Sequence, residues 1–377
     1  MIDRRLVEKF DWLILLSLLV IVAMGLVSLY SALHPQIRAE PTDNAFVRQI
    51  VWLGCGLVVL FFALLFDYQQ LKVVSPWIYF ATLAFLVVVL IFGKEVNGAK
   101  RWLDLGFFHF QPSEIMKTVI VIQLATYLSR QEISPYPRLG ELGVPLLMIF
   151  APVVLILMGP DLGTALCVLA IASTVIFFMG IRWQYVLTFG AGALVSLWPL
   201  WEYVLKEYQK NRILIFLRPD LDPLGAGYHI RQSKIAIGSG MFWGKGFLEG
   251  TQNKLHFLPE KHTDFIFSVW AEEWGFAGTL ALLLAFILMV LLCLQVARRS
   301  KDRFGALLVV GMTALILWQM LINIGMVIGL LPVVGITLPF VSYGGSSLIS
   351  LCFAVGIVEN VSMRRYVFQP RGRLEKG

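Results

Sequence analysis

The sequence predicts an all-α polytopic membrane protein with about ten transmembrane helices and one long exterior loop. Three observations predict it. Of 377 residues, 58% are hydrophobic and only 15% charged, with a mean hydropathy of +0.78, a balance foreign to soluble globular domains of this length. Apolar runs of about 20 residues, the length a spanning helix needs, recur along the whole chain. Lysine and arginine gather in alternate short loops, the bias that orients membrane proteins.

The runs place spans near 11–32, 46–66, 76–93, 113–129, 143–159, 163–180, 184–204, 265–296, 304–330 and 347–363. The first lacks a small-residue cleavage site and is too long for a signal peptide. With the N-terminus inside, cytoplasmic segments carry Arg4, Arg5 and Lys9, then Lys72, Arg130, Arg138 and Arg182, then Arg298 to Arg303 and the basic tail from Arg364. Both ends are therefore expected in the cytoplasm. The basic loop at about 205–264 stays exterior, because long loops cross largely regardless of charge. Its stretch IRQSKIAIG reads as a short amphipathic helix lying along the membrane surface. No Ser-, Gly- or charge-rich linker divides the chain, so one membrane domain over 1–377 is expected.

The four cysteines, Cys55, Cys167, Cys293 and Cys352, fall inside predicted spans and read as small apolar packing residues. The five histidines show no zinc-like spacing. IGSGMFWGKG fails as a phosphate loop: Ser239 stands where the first glycine is needed, and Gly246 follows Lys245. The net charge of +7 is spread over loops and tail, which suits anionic lipid and argues against a nucleic-acid partner.

Ionisable residues at membrane depth are expensive and raise the question of function. Glu114 and Lys117 stand three apart in QPSEIMK, on one helix face, where they can pair. A structural ion pair and a site open to exterior water are both consistent with that spacing. Lys100 and Arg101 suit a diphosphate and equally a lipid headgroup. Asp161 in PDLGT can cap a helix or join a site. Arg212 and Lys234 add positive charge to the exterior loop. Ser342, Tyr343, Ser346 and Ser347 surround Gly344–Gly345, offering hydroxyls on a bent backbone or simple helix caps. At least one of Glu272 and Glu273 is expected to face protein or water. In LPEKHTDFIFSVW, Glu260, Lys261, His262, Thr263 and Asp264 abut a long apolar run. Thr263 could cap the following helix, leaving Asp264 available as a base.

GAKRWL, QPSEIMK, PDLGT, DPLGAGYHIRQSKIAIGSG, LPEKHTDFIF and LPFVSYGGSS together closely resemble the SEDS family (shape, elongation, division and sporulation), on its RodA-like branch. Similarity runs over nearly the whole chain. Gly159 replaces the usual Gln before PDLG, and Trp274 the usual Leu in the AEEWG stretch. The resemblance implies a ten-helix glycosyltransferase of the bacterial plasma membrane. It would polymerise lipid II, an undecaprenyl-diphosphate-linked glycan, with inversion into β-1,4-linked strands on the outer face during cell elongation. Its implied partners are a class B penicillin-binding protein and other elongation-complex membrane proteins. Asp264 matches the family's essential Asp, here the candidate general base. Glu114, Lys117 and Asp161 match further motif charges, and Lys100, Arg101, Arg212, Lys234, Glu260, His262 and Ser342 join them as substrate-binding candidates. No cofactor is demanded; a divalent cation, Mg²⁺ or Mn²⁺, could share the diphosphate charge. The rival readings are a lipid II flippase and a non-catalytic scaffold.

Overall fold

The computed structural model describes residues 9–39, 45–96, 99–104, 109–130, 139–180, 184, 192, 195, 198–204, 210–211, 214–216, 218, 222, 225–254, 257 and 261–364. Within them the long helices are α1 (Trp12–Ala39), α2 (Ala45–Leu65), α3 (Leu71–Phe92), α4 (Pro112–Arg130), α5 (Gly143–Met158) and α6 (Leu162–Phe178). The short exterior helices α7 (Ala226–Ser239) and α8 (Thr251–Lys254) follow, then α9 (Ile266–Arg298), α10 (Arg303–Val327) and α11 (Gly345–Arg364). Lipid offers backbone groups no partner, so each apolar run satisfies its own as a helix. Nine of the expected spans correspond to α1–α6 and α9–α11; the tenth, 184–204, falls mostly outside the described residues.

Seven of these helical segments are long and apolar enough to cross a membrane, and α6 is a shorter apolar one. The interior is set by α4, α10 and α11. Burial reaches 78% of the apolar window in α10 and 83% in α11, against 22% in α2, so the first two form the centre and α2 faces lipid. Helix α4 packs on α3, α6 and α10. It is buried almost throughout although it carries Ser113, Glu114, Lys117, Thr118, Gln123 and Thr126. Its polarity is tolerable because neighbouring helices, not lipid, surround it. Asp302 caps α10 by accepting the Gly305 N–H at 2.9 Å.

Two features depart from the expected all-helical pattern. Residues 94–110 contain three short antiparallel strands, β1 (Lys94–Val96), β2 (Ala99–Asp104) and β3 (His109–Phe110), in the order β1-β2-β3. The strands exchange the backbone bonds that a water-facing loop beside the membrane would otherwise leave to solvent. Helix α9 is broken at Gly275 (φ 63°, ψ −159°). There the loop after α7 runs alongside it: Phe276 and Ala277 N–H groups donate to Met241 and Phe242 carbonyls at 2.9 and 3.0 Å. In the reverse sense, Lys245 and Gly246 N–H groups each donate at 3.0 Å to the Glu272 and Glu273 carbonyls.

Both glutamates are buried, and both carboxylates face protein. Glu272 accepts from Lys245 Nζ at 2.7 Å, Thr251 Oγ1 at 3.0 Å and Gln252 N at 3.1 Å, while Glu273 accepts from Ser31 of α1. This cluster fastens the exterior loop to the kink. A β-carbon at Gly275 would collide with Gly244 N, and that backbone region is nearly glycine-only, costing about 1–3 kcal/mol for other residues. Gly275→Ala should lower the unfolding temperature in detergent by several degrees. Melting at the native temperature would refute the kink.

Candidate active site

Asp264 lies in a turn, Lys261 to Phe265, immediately before α9. Phe265 is the N-cap residue of α9 and makes no side-chain cap bond. Instead, the turn is held through three consecutive carbonyls. His262 O accepts from Tyr343 N at 2.9 Å, Thr263 O from Ser342 Oγ at 2.6 Å, and Asp264 O from Asn323 Nδ2 at 2.9 Å. Ser342 Oγ in turn accepts the Leu338 N–H at 2.8 Å. Gln49 of α2 braces the same loop, donating to Ser342 O at 3.1 Å and accepting from Gly344 N at 3.2 Å. The His262 ring lies 5.9 Å from that of Tyr343. The LPFVSYGGSS loop thus clasps the HTD turn, and the Ser342 hydroxyl serves the main chain.

The other motif charges connect to this turn through the residues just before that loop. Gly335 (φ 74°) faces the Asp264 carboxylate: a β-carbon built there would sit 3.6 Å from Oδ2. One residue on, Ile336 packs with Val334 O against Gly163, beside Asp161. Asp161 caps α6, accepting from Thr164 N at 3.1 Å and Thr164 Oγ1 at 2.9 Å. Its Oδ2 also receives Gln111 Nε2 at 3.3 Å, and Gln111 reaches Ser113 Oγ at 3.1 Å. Asp161 therefore caps α6 and also meets Gln111, just ahead of α4. A small pocket here is lined by Leu86, Val89, Pro112, Ser113, Ile156 and Asp161.

Lys117 Nζ and Glu114 Oε1 form a 2.8 Å ion pair. Lys117 is 1% and Glu114 7% exposed, so of the two readings of that spacing the pair forms the closed-off one. Ser350 of α11 donates to Glu114 O at 3.2 Å and lies 2.9 Å from Thr118 Oγ1, tying the pair to the helix that starts in LPFVSYGGSS. Glu114 Oε2 has no hydrogen-bond partner among the described residues.

On the exterior surface α7 is anchored by Ser233, which donates to Val327 O at 2.6 Å and lies 2.8 Å from Ser268 Oγ. His229 of the same helix lies 6.1 Å from Phe265. Exposed Lys234 folds its stem over Gly329. Lys100 and Arg101 fall on β2, their side chains outside the described residues; Arg212 and Glu260 are also outside them. Among the described residues no group of three or more His, Cys, Asp or Glu side chains is arranged to hold a metal. A divalent cation there would have to rely on one or two carboxylates together with substrate phosphate oxygens, as Mg²⁺ commonly does.

Lys261, 7% exposed, is held below its ordinary pKa of 10.5 by burial, which disfavours the ammonium. Between that lowered value and 10.5 the unfolded chain binds more protons than the folded one, so Lys261 makes stability rise with pH in that window. Lys261→Met should flatten the rise in a pH series of melting temperatures; an unchanged slope would refute it.

Asn323 is the residue of this site that the sequence left unnoticed, a neutral amide inside an apolar run. Polar residues also lie buried at the other end of the bundle. There Asn360 donates to Ala63 O and Phe66 O, each at 2.6 Å, and Glu359 accepts from Asp11 N at 3.1 Å. These bonds satisfy backbone groups at the end of α2 and just before α1.

Comparison with known proteins agrees with this architecture. Peptidoglycan glycosyltransferase MrdB of Escherichia coli K12 is 41% identical over 363 residues, covering 96% of this chain and 95% of that protein. A solved peptidoglycan synthase complex, described as coordinating polymerization and crosslinking, contains a chain 35% identical with a TM-score of 0.80, covering 95% of this chain and 98% of that one. The rod shape determining protein RodA of Thermus thermophilus is 32% identical with a TM-score of 0.71 at the same coverage. The cell cycle protein model FtsW/RodA/SpoVE matches residues 11–367, and the chain belongs to that family.

Proposed function

We infer that this multi-pass protein of the bacterial plasma membrane is a peptidoglycan glycosyltransferase of cell elongation, polymerising lipid II on the outer face. It works with a class B penicillin-binding protein that crosslinks the strands. The observation that carries the reading is the convergence of four motif segments at one end of the bundle: the HTD turn, the 334–344 loop, the PDLG cap and the start of α4. Chemistry at one membrane face needs such a one-sided cluster, whereas a flippase needs polar groups through the bilayer depth.

In the proposed reaction Asp264 takes the proton from the 4-hydroxyl of the acceptor GlcNAc. That oxygen forms a bond to the anomeric carbon of the donor MurNAc, and undecaprenyl diphosphate leaves from the opposite face. Inversion turns the α-linked diphosphate into a β-1,4 bond. Asp264 suits the task because the turn that carries it is fixed at three carbonyls while the residue stays partly exposed. Lys234, Lys100, Arg101 and Arg212 are assigned to the diphosphate by charge and exterior position. Glu114–Lys117 and Asp161 shape the floor beneath it, and Glu260 and His262 flank the base. A divalent cation, Mg²⁺ or Mn²⁺, would add positive charge at the diphosphate. Both termini lie in the cytoplasm in this reading, and the chain forms one membrane domain.

The test is reconstitution of the purified chain with lipid II, with and without its transpeptidase partner and with Mg²⁺ or Mn²⁺ added. Polymer on gels supports the transferase. Absence of polymer together with accelerated lipid II translocation across vesicles would instead favour the flippase.

A further inference from the structure

We propose that Asn323 is a positioning residue for Asp264, locking the turn that carries the carboxylate to the loop that faces it. Asn323 lies in α10 with 0% exposure. Its Nδ2 donates to Asp264 O at 2.9 Å and to Ile336 O at 2.7 Å, joining segments 59 and 13 residues away from it.

The residue type follows from what the two carbonyls require. Both lie in irregular backbone outside the helix ladders, where a buried acceptor without a donor is costly. One amide nitrogen carries two N–H bonds and no charge, so a single asparagine satisfies both; a hydroxyl has one proton, and a lysine adds a buried charge. The amide orientation is fixed by its partners, since reversing it would aim the side-chain oxygen at two carbonyls. Asn323 Oδ1 has no hydrogen-bond partner among the described residues, so the side chain is held by its donors alone.

Geometry links these bonds to the carboxylate. Gly335, next to Ile336, is the backbone that approaches Asp264 Oδ2. Asn323 therefore fixes both the peptide from which Asp264 projects and the wall beside its side chain. Ser342 and Tyr343 hold the two preceding carbonyls from that loop, and Asn323 reaches the turn from the central helix α10. Small misplacements of a reacting group cost up to about 100-fold in rate.

The inference rests on Asp264 acting as the base, so its test includes that residue separately. Native, Asn323→Ala, Asn323→Asp and Asp264→Asn proteins are reconstituted with partner and lipid II. Turnover per folded complex, KM, unfolding temperature and the pH profile of kcat are measured for each. Asn323→Ala is expected to lower kcat by about 10- to 100-fold with KM within about two-fold of native. It should also move the acid limb of the kcat profile, which reports the base. Asn323→Asp preserves the shape while disrupting the two-donor arrangement, and supplies the same readout if the alanine protein fails to fold. Turnover within about two-fold of native, or a loss with the acid limb unmoved, would overturn the positioning role. Native turnover in Asp264→Asn would instead overturn the base assignment.

Discussion

Lys117→Met is expected to be the most destabilising of the charge substitutions. Lys117 is 1% exposed and bonded to Glu114 at 2.8 Å, and removing one partner leaves the other as an uncompensated buried charge. Such losses cost about 3–5 kcal/mol, whereas replacing both partners is often neutral. The single variant should melt well below the native protein or fail to accumulate. Combining it with Glu114→Gln should restore much of the unfolding temperature. If the pair also shapes the substrate floor, the double variant stays inactive in polymerisation despite folding. A double variant with native turnover would reduce the pair to a structural tie.

Asp264→Asn is the second large effect, and it falls on rate instead of stability. The substitution preserves the side-chain shape and the three carbonyl bonds that hold the turn. It removes the capacity to accept a proton. Positioned acid–base groups contribute about 10²–10⁴-fold, so turnover should fall by at least about 100-fold. Substrate affinity, partner assembly and unfolding temperature should stay near native. A non-catalytic scaffold would predict no loss at all, and a collapse in partner binding would move the residue from chemistry to assembly.

Membrane helices were legible because lipid forces each apolar run to satisfy its own backbone. Helix α4 was legible as the run 113–129 with its i, i+3 pair, although it is more polar than the other spans. The break at Gly275 was not, since α9 reads as one apolar run and the cause is the Met241–Gly246 backbone pressed against it. The strands at 94–110 were missed because two- to six-residue strands leave little periodicity. Within the site, charges declared themselves by being out of place in lipid. Asn323 did not, because its partners are main-chain carbonyls that no residue type encodes.

The most direct measurement is the initial rate of glycan polymerisation from lipid II by native and Asp264→Asn complexes, matched for folded, partner-bound protein. The account predicts polymer from the native complex and a rate at least about 100-fold lower from the variant. Equal rates from the two would contradict it, leaving the polymerase standing and removing Asp264 as its base.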